Sequence, residues 1–213
     1  MRPVIAMVTD RSRLGEHWQS ATALRVAAAA RVGVHLVLVR ERGLDARPLA
    51  ALVTACLAAV SGTRTRVLVN ERVDVALATG AHGVHLRGDS VRAGRVRAIA
   101  PASFLIGRSV HNRDEVERVD DDALDYLLFG NVFETASKPG VPAAGTSRLA
   151  DIAASTQLPV LAVGGMTAET VRGLGATGAA GFAAIGLFCD TPLDRLHALV
   201  RQAAIGFGTA PPA

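Results

Sequence analysis

The chain has 213 residues, half of them apolar and one-fifth charged, with a mean hydropathy of +0.31. That apolar share excludes a disordered chain, and the length fits one α/β barrel without a second domain. The formal charge is +4, carried by 22 arginines and a single lysine, Lys138. The arginines are spread along the chain without interleaved aromatics, which make up 4% of residues, so the charge suits a basic pocket for a small anion better than nucleic acid. No uncharged apolar run approaches the roughly 18 residues of a membrane span. The N-terminus runs straight into a strand-like segment with no signal-peptide core, and Cys56 and Cys189 form no CxxC pair. The expectation is a cytoplasmic protein with two buried thiols and no membrane partner.

In chain order, β-rich apolar runs predict strands at residues 4–8, 34–39, 66–69, 83–86, 104–107, 126–129, 160–163 and 181–185. Most are continuous runs rather than alternations, as in strands covered on both faces of a parallel sheet. Helical segments are predicted between them at 20–31, 47–60, 72–79, 91–99, 113–119, 147–155, 168–174 and 192–204. Thr167 is a capping hydroxyl for the seventh, and Thr191-Pro192 places a cap and an N1 proline before the eighth. Eight strand–helix units predict a single (β/α)8 TIM barrel over residues 1–205, with 206–213 as a disordered tail. The first βα turn, Thr9-Asp10-Arg11-Ser12, carries no dinucleotide fingerprint, and the chain has no Walker loop, nucleophile elbow or zinc spacing.

In such barrels the active site lies at the C-terminal ends of the strands. Strands 7 and 8 end in Val163-Gly164-Gly165-Met166-Thr167 and Ala184-Ile185-Gly186-Leu187. Glycines there let backbone N–H groups approach a ligand, so Gly164, Gly165, Ile185 and Gly186 are predicted to hold a phosphate. Arg40 and Arg42 sit two apart at the end of strand 2, with Arg40 the stronger candidate for a carboxylate or phosphate clamp. The connection from Asn131 to Thr146, rich in Gly and Pro, is long for a compact barrel and reads as functional. It holds Lys138, a compact ammonium in a chain that otherwise uses arginine.

The strand ends carry Leu36-Val37-Leu38-Val39-Arg40-Glu41-Arg42, Val69-Asn70-Glu71-Arg72, Gly83-Val84-His85-Leu86 and Gly107-Arg108-Ser109-Val110-His111. Phe129-Gly130-Asn131-Val132-Phe133-Glu134-Thr135, Lys138 and Val163-Gly164-Gly165-Met166 follow. Together these segments resemble the thiamine phosphate synthase superfamily, in order from Val4 to about Leu199. The resemblance implies one of two activities. One branch joins a pyrimidine diphosphate to a thiazole phosphate using Mg²⁺; the other, the TenI type, is a cofactor-free thiazole tautomerase.

The synthase pattern is altered. Its strand-2 Gln-x-Arg-x-Lys falls on Leu38, Arg40 and Arg42, its Asn-Asp on Asn70-Glu71, and its Gly-Gln-Glu-Asp on Arg87-Gly88-Asp89-Ser90, which offers only a shifted Asp89. The Gly-Arg-Ser-Val-His and Phe-Glu-Thr wording favours the tautomerase branch, so the main expectation is an isomerase without metal or other cofactor. Its acid/base histidine falls on Asn131, an amide that cannot carry a proton. On that reading Asn131 orients the substrate, His111 or Glu134 supplies the base, and Arg40, Asn70, Ser109, Thr135 and Lys138 bind the substrate. The alternatives are a synthase with an eroded Mg²⁺ site and a catalytically silent binding or regulatory barrel. The expected partner is a phosphorylated thiazole or a related small anion, with homodimerisation left open.

Overall fold

The computed structural model describes residues 2–119, 121–137 and 140–209. Eight parallel strands close into a barrel in sequence order: β1 (Val4–Val8), β2 (Leu36–Val39), β3 (Arg66–Asn70), β4 (Gly83–Leu86), β5 (Leu105–Val110), β6 (Tyr126–Gly130), β7 (Val160–Val163) and β8 (Gly181–Ala184). Helices α1 (Trp18–Arg31), α2 (Ala46–Ala59), α3 (Val73–Thr79), α4 (Ala93–Arg97), α5 (Arg113–Glu117), α6 (Gly145–Ala154), α7 (Gly186–Cys189) and α8 (Leu193–Phe207) follow them or pack outside. The single (β/α)8 barrel expected from the strand runs is the observed fold.

The runs look uniformly apolar because both faces of each strand are buried, yet the two-residue period still operates inside them. Ala6, Val8, Leu36, Leu38, Leu68, Leu128, Leu161 and Ala183 fill the barrel interior. Their neighbours Ile5, Met7, Val37, Val39, Val67, Val69, Leu127, Phe129 and Ala162 pack outward against the helices. This alternation determines which side chain at each strand end faces the barrel mouth.

Three expectations are corrected. The helix expected at 168–174 does not form; residues 168–173 are turns. Thr167 does cap them, its Oγ1 accepting from the N–H groups of Glu169 and Thr170 at 3.2 Å, but Gly173 at φ 74° turns the chain into a short 3-10 segment, Leu174–Thr177. Pro192 stands at the cap position of α8 instead of inside it, with no side-chain cap. The last helix also runs two residues past the expected boundary at 205, because Phe207 is buried against Phe182 with ring centroids 6.0 Å apart. The rest of the expected tail, 210–213, lies outside the described residues.

The closing seam between β1 and β8 depends on Gly181, where an added Cβ would lie 1.9 Å from the Val4 carbonyl oxygen. Backbone of a paired strand cannot yield as a flexible side chain does. Gly181→Ala should therefore cost at least about 1–3 kcal/mol of stability, the usual range for overpacking. The check is denaturant unfolding; an unchanged midpoint would show that β1 shifts freely.

Candidate active site

The strand C-termini open into one cavity of about 1760 Å³. At the end of β2 the alternation continues into the loop. Glu41 follows the outward set and is buried, its Oε1 accepting from the Thr9 hydroxyl at 2.5 Å and its Oε2 from the Arg11 N–H at 2.9 Å. Thr9 Oγ1 accepts in turn from the Arg40 N–H at 3.0 Å. Burial raises the Glu41 pKa above the usual carboxylate range, opposed by these hydrogen bonds. Arg40 and Arg42, in the inward register, both line the cavity. Among the described residues neither guanidinium takes part in a salt bridge. Arg40 is half-buried, and its pKa is pushed down first by burial and then by the like charges of Arg42 and Arg87, with Asp10 and Glu41 in opposition.

The ends of β3 and β4 are tied by Glu71, a non-glycine residue at φ 67°. Its N–H donates to the His85 carbonyl at 2.9 Å, and its Oε1 accepts from the Arg87 N–H at 2.5 Å. Asn70 lines the mouth beside it. The β4–α4 loop is held from behind by Arg108 of β5, which takes the outward register and is 8% exposed. Its guanidinium donates to the carbonyls of Arg87 at 3.2 Å, Gly88 at 3.1 Å and Val91. Sequence reasoning gave Arg108 no role of its own; the one signal was its place between Gly107 and Ser109 in a strand-end motif.

Below the mouth, His85 contacts Ser109 Oγ through Nε2 at 2.9 Å and Tyr126 OH through Nδ1 at 3.0 Å. Burial, with Arg108 adding to it, pushes the His85 pKa down to about 3, so the imidazole is neutral near pH 7. Ser109 is thereby presented to the cavity by a fixed partner.

The residues expected to do acid–base work, Asn131, His111 and Glu134, all line the cavity together with Thr135. Asn131 is buried, and its Nδ2 donates to the carbonyls of Phe133, Val141 and Pro142 at 3.4, 3.3 and 3.5 Å, fastening its own loop. His111 is exposed, with its N–H and Nδ1 both on Glu115 Oε2 at 2.9 and 3.1 Å. Glu134 is exposed on the rim, and the Thr135 hydroxyl accepts from the Ser137 N–H at 3.3 Å. Lys138 lies outside the described residues.

Across the mouth, Gly164 at φ 100° and Gly165 at φ 66° leave room for the β6–α6 loop. A Cβ on Gly164 would meet Asn131 Cβ at 2.5 Å, and one on Gly165 the Glu134 carbonyl oxygen at 2.4 Å. Ile185 precedes and Gly186 opens α7, and all four line the cavity. No regular helix follows β7, so the N-terminus facing this side is that of the short α7, which sequence patterning missed because four residues show no period. Beside Gly186, Asp190 is paired with Arg13 at 2.5 Å, and Arg13 also reaches Asp10 at 3.4 Å.

The Mg²⁺ that the synthase resemblance implies does not fit the residues present. Mg²⁺ requires near-octahedral oxygen donors at about 2.0–2.1 Å. Here Glu71 is held by the Arg87 N–H, Asp89 by the Arg87 guanidinium at 2.8 Å, and Ser90 stands where the motif's second aspartate would be. Among the described residues no three His, Cys, Asp or Glu side chains gather to hold a metal.

The molecule is a closed (β/α)8 barrel with basic groups at one side of its mouth and glycines at the seventh and eighth strand ends. The family model described as thiamine monophosphate synthase matches residues 5–188, and the chain belongs to that family. The thiamine-phosphate synthase of Roseiflexus sp. strain RS-1 is 34% identical over 206 residues, covering 94% of this chain and 86% of that protein. The thiamine-phosphate synthase of Methanoculleus marisnigri is 35% identical over 180 residues, covering 84% of each. The solved structure of thiamine phosphate pyrophosphorylase from Pyrococcus furiosus superposes with TM-score 0.81 at 26% identity, covering 96% of both chains. These relatives overturn the expectation of a thiazole tautomerase: the strand-end wording that pointed there occurs in a chain whose near relatives carry the synthase name. The use of the Asn131 amide within its own loop accords with that correction.

The buried His85 has a consequence for pH. In the unfolded chain it takes up a proton near its ordinary value of 6.5, whereas in the fold it stays neutral down to about 3. Unfolded chains therefore bind the extra proton between these values, and stability falls as pH falls through that window. Denaturant unfolding at about pH 7 and about pH 5 should show this loss. His85→Gln should flatten it, and an equal loss in the variant would place its origin elsewhere.

Proposed function

We propose that the protein is a transferase of the thiamine phosphate synthase type, joining a hydroxymethylpyrimidine diphosphate to a thiazole phosphate. The observation that carries this reading is the division of the cavity. Two guanidiniums outside any described salt bridge, Arg40 and Arg42, stand at β2, and the glycine-lined ends of β7 and β8 stand at another part of the same mouth. Two separate anion-binding regions suit two phosphorylated substrates better than one. The relatives' names agree with it.

The thiazole nitrogen takes the exocyclic carbon of the pyrimidine, the bond from that carbon to the diphosphate oxygen breaks, and the diphosphate leaves with the electron pair. The residues serve this by position and charge. Arg40 and Arg42 hold the diphosphate and stabilise the charge that grows on its leaving oxygen. Gly165 and Gly186 let backbone N–H groups approach the thiazole phosphate. Ser109, held by neutral His85, and Asn70 orient the rings between the two anions. No general base is required, since the attacking nitrogen carries no proton to lose.

Incubation with both substrates should release diphosphate and form thiamine phosphate in equal amounts. Arg40→Ala should lower kcat/KM by at least about tenfold, and Gly186→Asp, which sets a carboxylate beside the phosphate, should raise the KM for thiazole phosphate by about tenfold or more. Absence of product under conditions where the protein remains folded would defeat the reading.

A further inference from the structure

We propose that Arg87 supplies, on the protein itself, the positive charge that a metal ion would bring to the diphosphate, so that diphosphate recognition at this mouth does not require Mg²⁺. The inference deepens the proposed transferase function and rests on it for the identity of the organic diphosphate. The residues expected to ligate the metal are altered together, and the alteration is directional. Arg87 stands at the first position of the loop, its main-chain N–H takes one oxygen of Glu71, and its Nη2 takes Asp89 at 2.8 Å. A dication here would compete with the Arg87 N–H for one oxygen of Glu71 and with the Arg87 guanidinium for one oxygen of Asp89.

Arg87 is also placed where a diphosphate needs charge. It lines the same cavity as Arg40 and Arg42, two strands along the barrel from them, and its charge joins that of Arg42 in pushing the Arg40 pKa down. A half-buried cation facing two like charges is costly until a polyanion joins them. The bond to Asp89 uses one nitrogen of a guanidinium that has five N–H donors, which leaves donors for phosphate oxygens. The loop bearing Arg87 is fastened by the buried Arg108 through the Arg87 and Gly88 carbonyls at 3.2 and 3.1 Å, so its backbone is set before the ligand arrives. Arg108 is thus a positioning residue, acting through Arg87.

Calorimetric titration of the full chain with inorganic pyrophosphate tests the inference, once with EDTA and once with excess MgCl₂, alongside the transferase assay under both conditions. Binding and turnover should persist in EDTA. Arg87→Gln, which keeps the N–H to Glu71, should weaken metal-free pyrophosphate binding by at least about tenfold while circular dichroism stays unchanged. A second protein, carrying Glu71→Asp, Arg87→Gly and Ser90→Asp together, should bind pyrophosphate with Mg²⁺ and lose that binding in EDTA. Product formation that vanishes in EDTA would overturn the inference and leave the proposed function standing. Pyrophosphate binding in EDTA that depends on Arg87, without any product from the organic substrates, would uphold the inference and defeat the function. Metal-free binding indifferent to Arg87→Gln would also overturn it.

Discussion

The mouth of the barrel depends on a buried guanidinium that fastens one of its loops. Arg108 leaves β5 on the outward face, where the surroundings are apolar, and an ion there is tolerated only if its donors are satisfied. Carbonyls of the β4–α4 loop satisfy them, so the cost of burying the charge and the conformation of the loop become one quantity. Glu41 does the converse at β2, taking a hydroxyl and an N–H from the end of β1. One buried cation and one buried anion, each bonded to the main chain of a neighbouring strand end, frame the segment in which Arg40, Arg42 and Arg87 are displayed.

The opposite side of the mouth is organised by space rather than charge. Gly164 and Gly165 admit the β6–α6 loop to within contact distance of β7, and Gly186 keeps the start of α7 clear. On the proposed function, charge on one side and backbone on the other serve two anions, while the His85–Ser109 pair marks the floor between them. With its pKa depressed by burial, His85 holds Ser109 without altering the charge of the site near neutral pH. The chemistry that the proposed function asks of this arrangement is positioning and stabilisation of a leaving anion, which cations and backbone N–H groups can supply.

The barrel was legible because buried parallel strands leave uniform apolar runs, and all eight runs became strands. The arginines of β2 and the glycines of β7 and β8 were legible as strand-end residues. What escaped was anything set by alternation beyond the strand or by a partner far along the chain. Glu41 and Arg108 look like surface charges in the sequence, yet their outward registers bury them against main-chain groups of neighbouring loops. The segment 168–174 has helical composition, and the geometry around Gly173 overrides it. Asn131 drew attention as a missing base, whereas its amide is a fastener for the loop it begins. The tautomerase reading failed for a related reason: strand-end wording records scaffold as well as chemistry, and Gly-Arg-Ser-Val-His includes the scaffold residue Arg108.

The central claim is that three arginines, and no metal, receive the diphosphate. A crystal structure of the protein soaked with the pyrimidine diphosphate in the presence of Mg²⁺ tests this most directly. The account predicts phosphate oxygens within hydrogen-bond distance, about 2.7–2.9 Å, of Arg40, Arg42 and Arg87, with Glu71 still on the Arg87 N–H. A magnesium ion bridging the diphosphate to Glu71 and Asp89, with the Arg87 side chain turned to solvent, would contradict it.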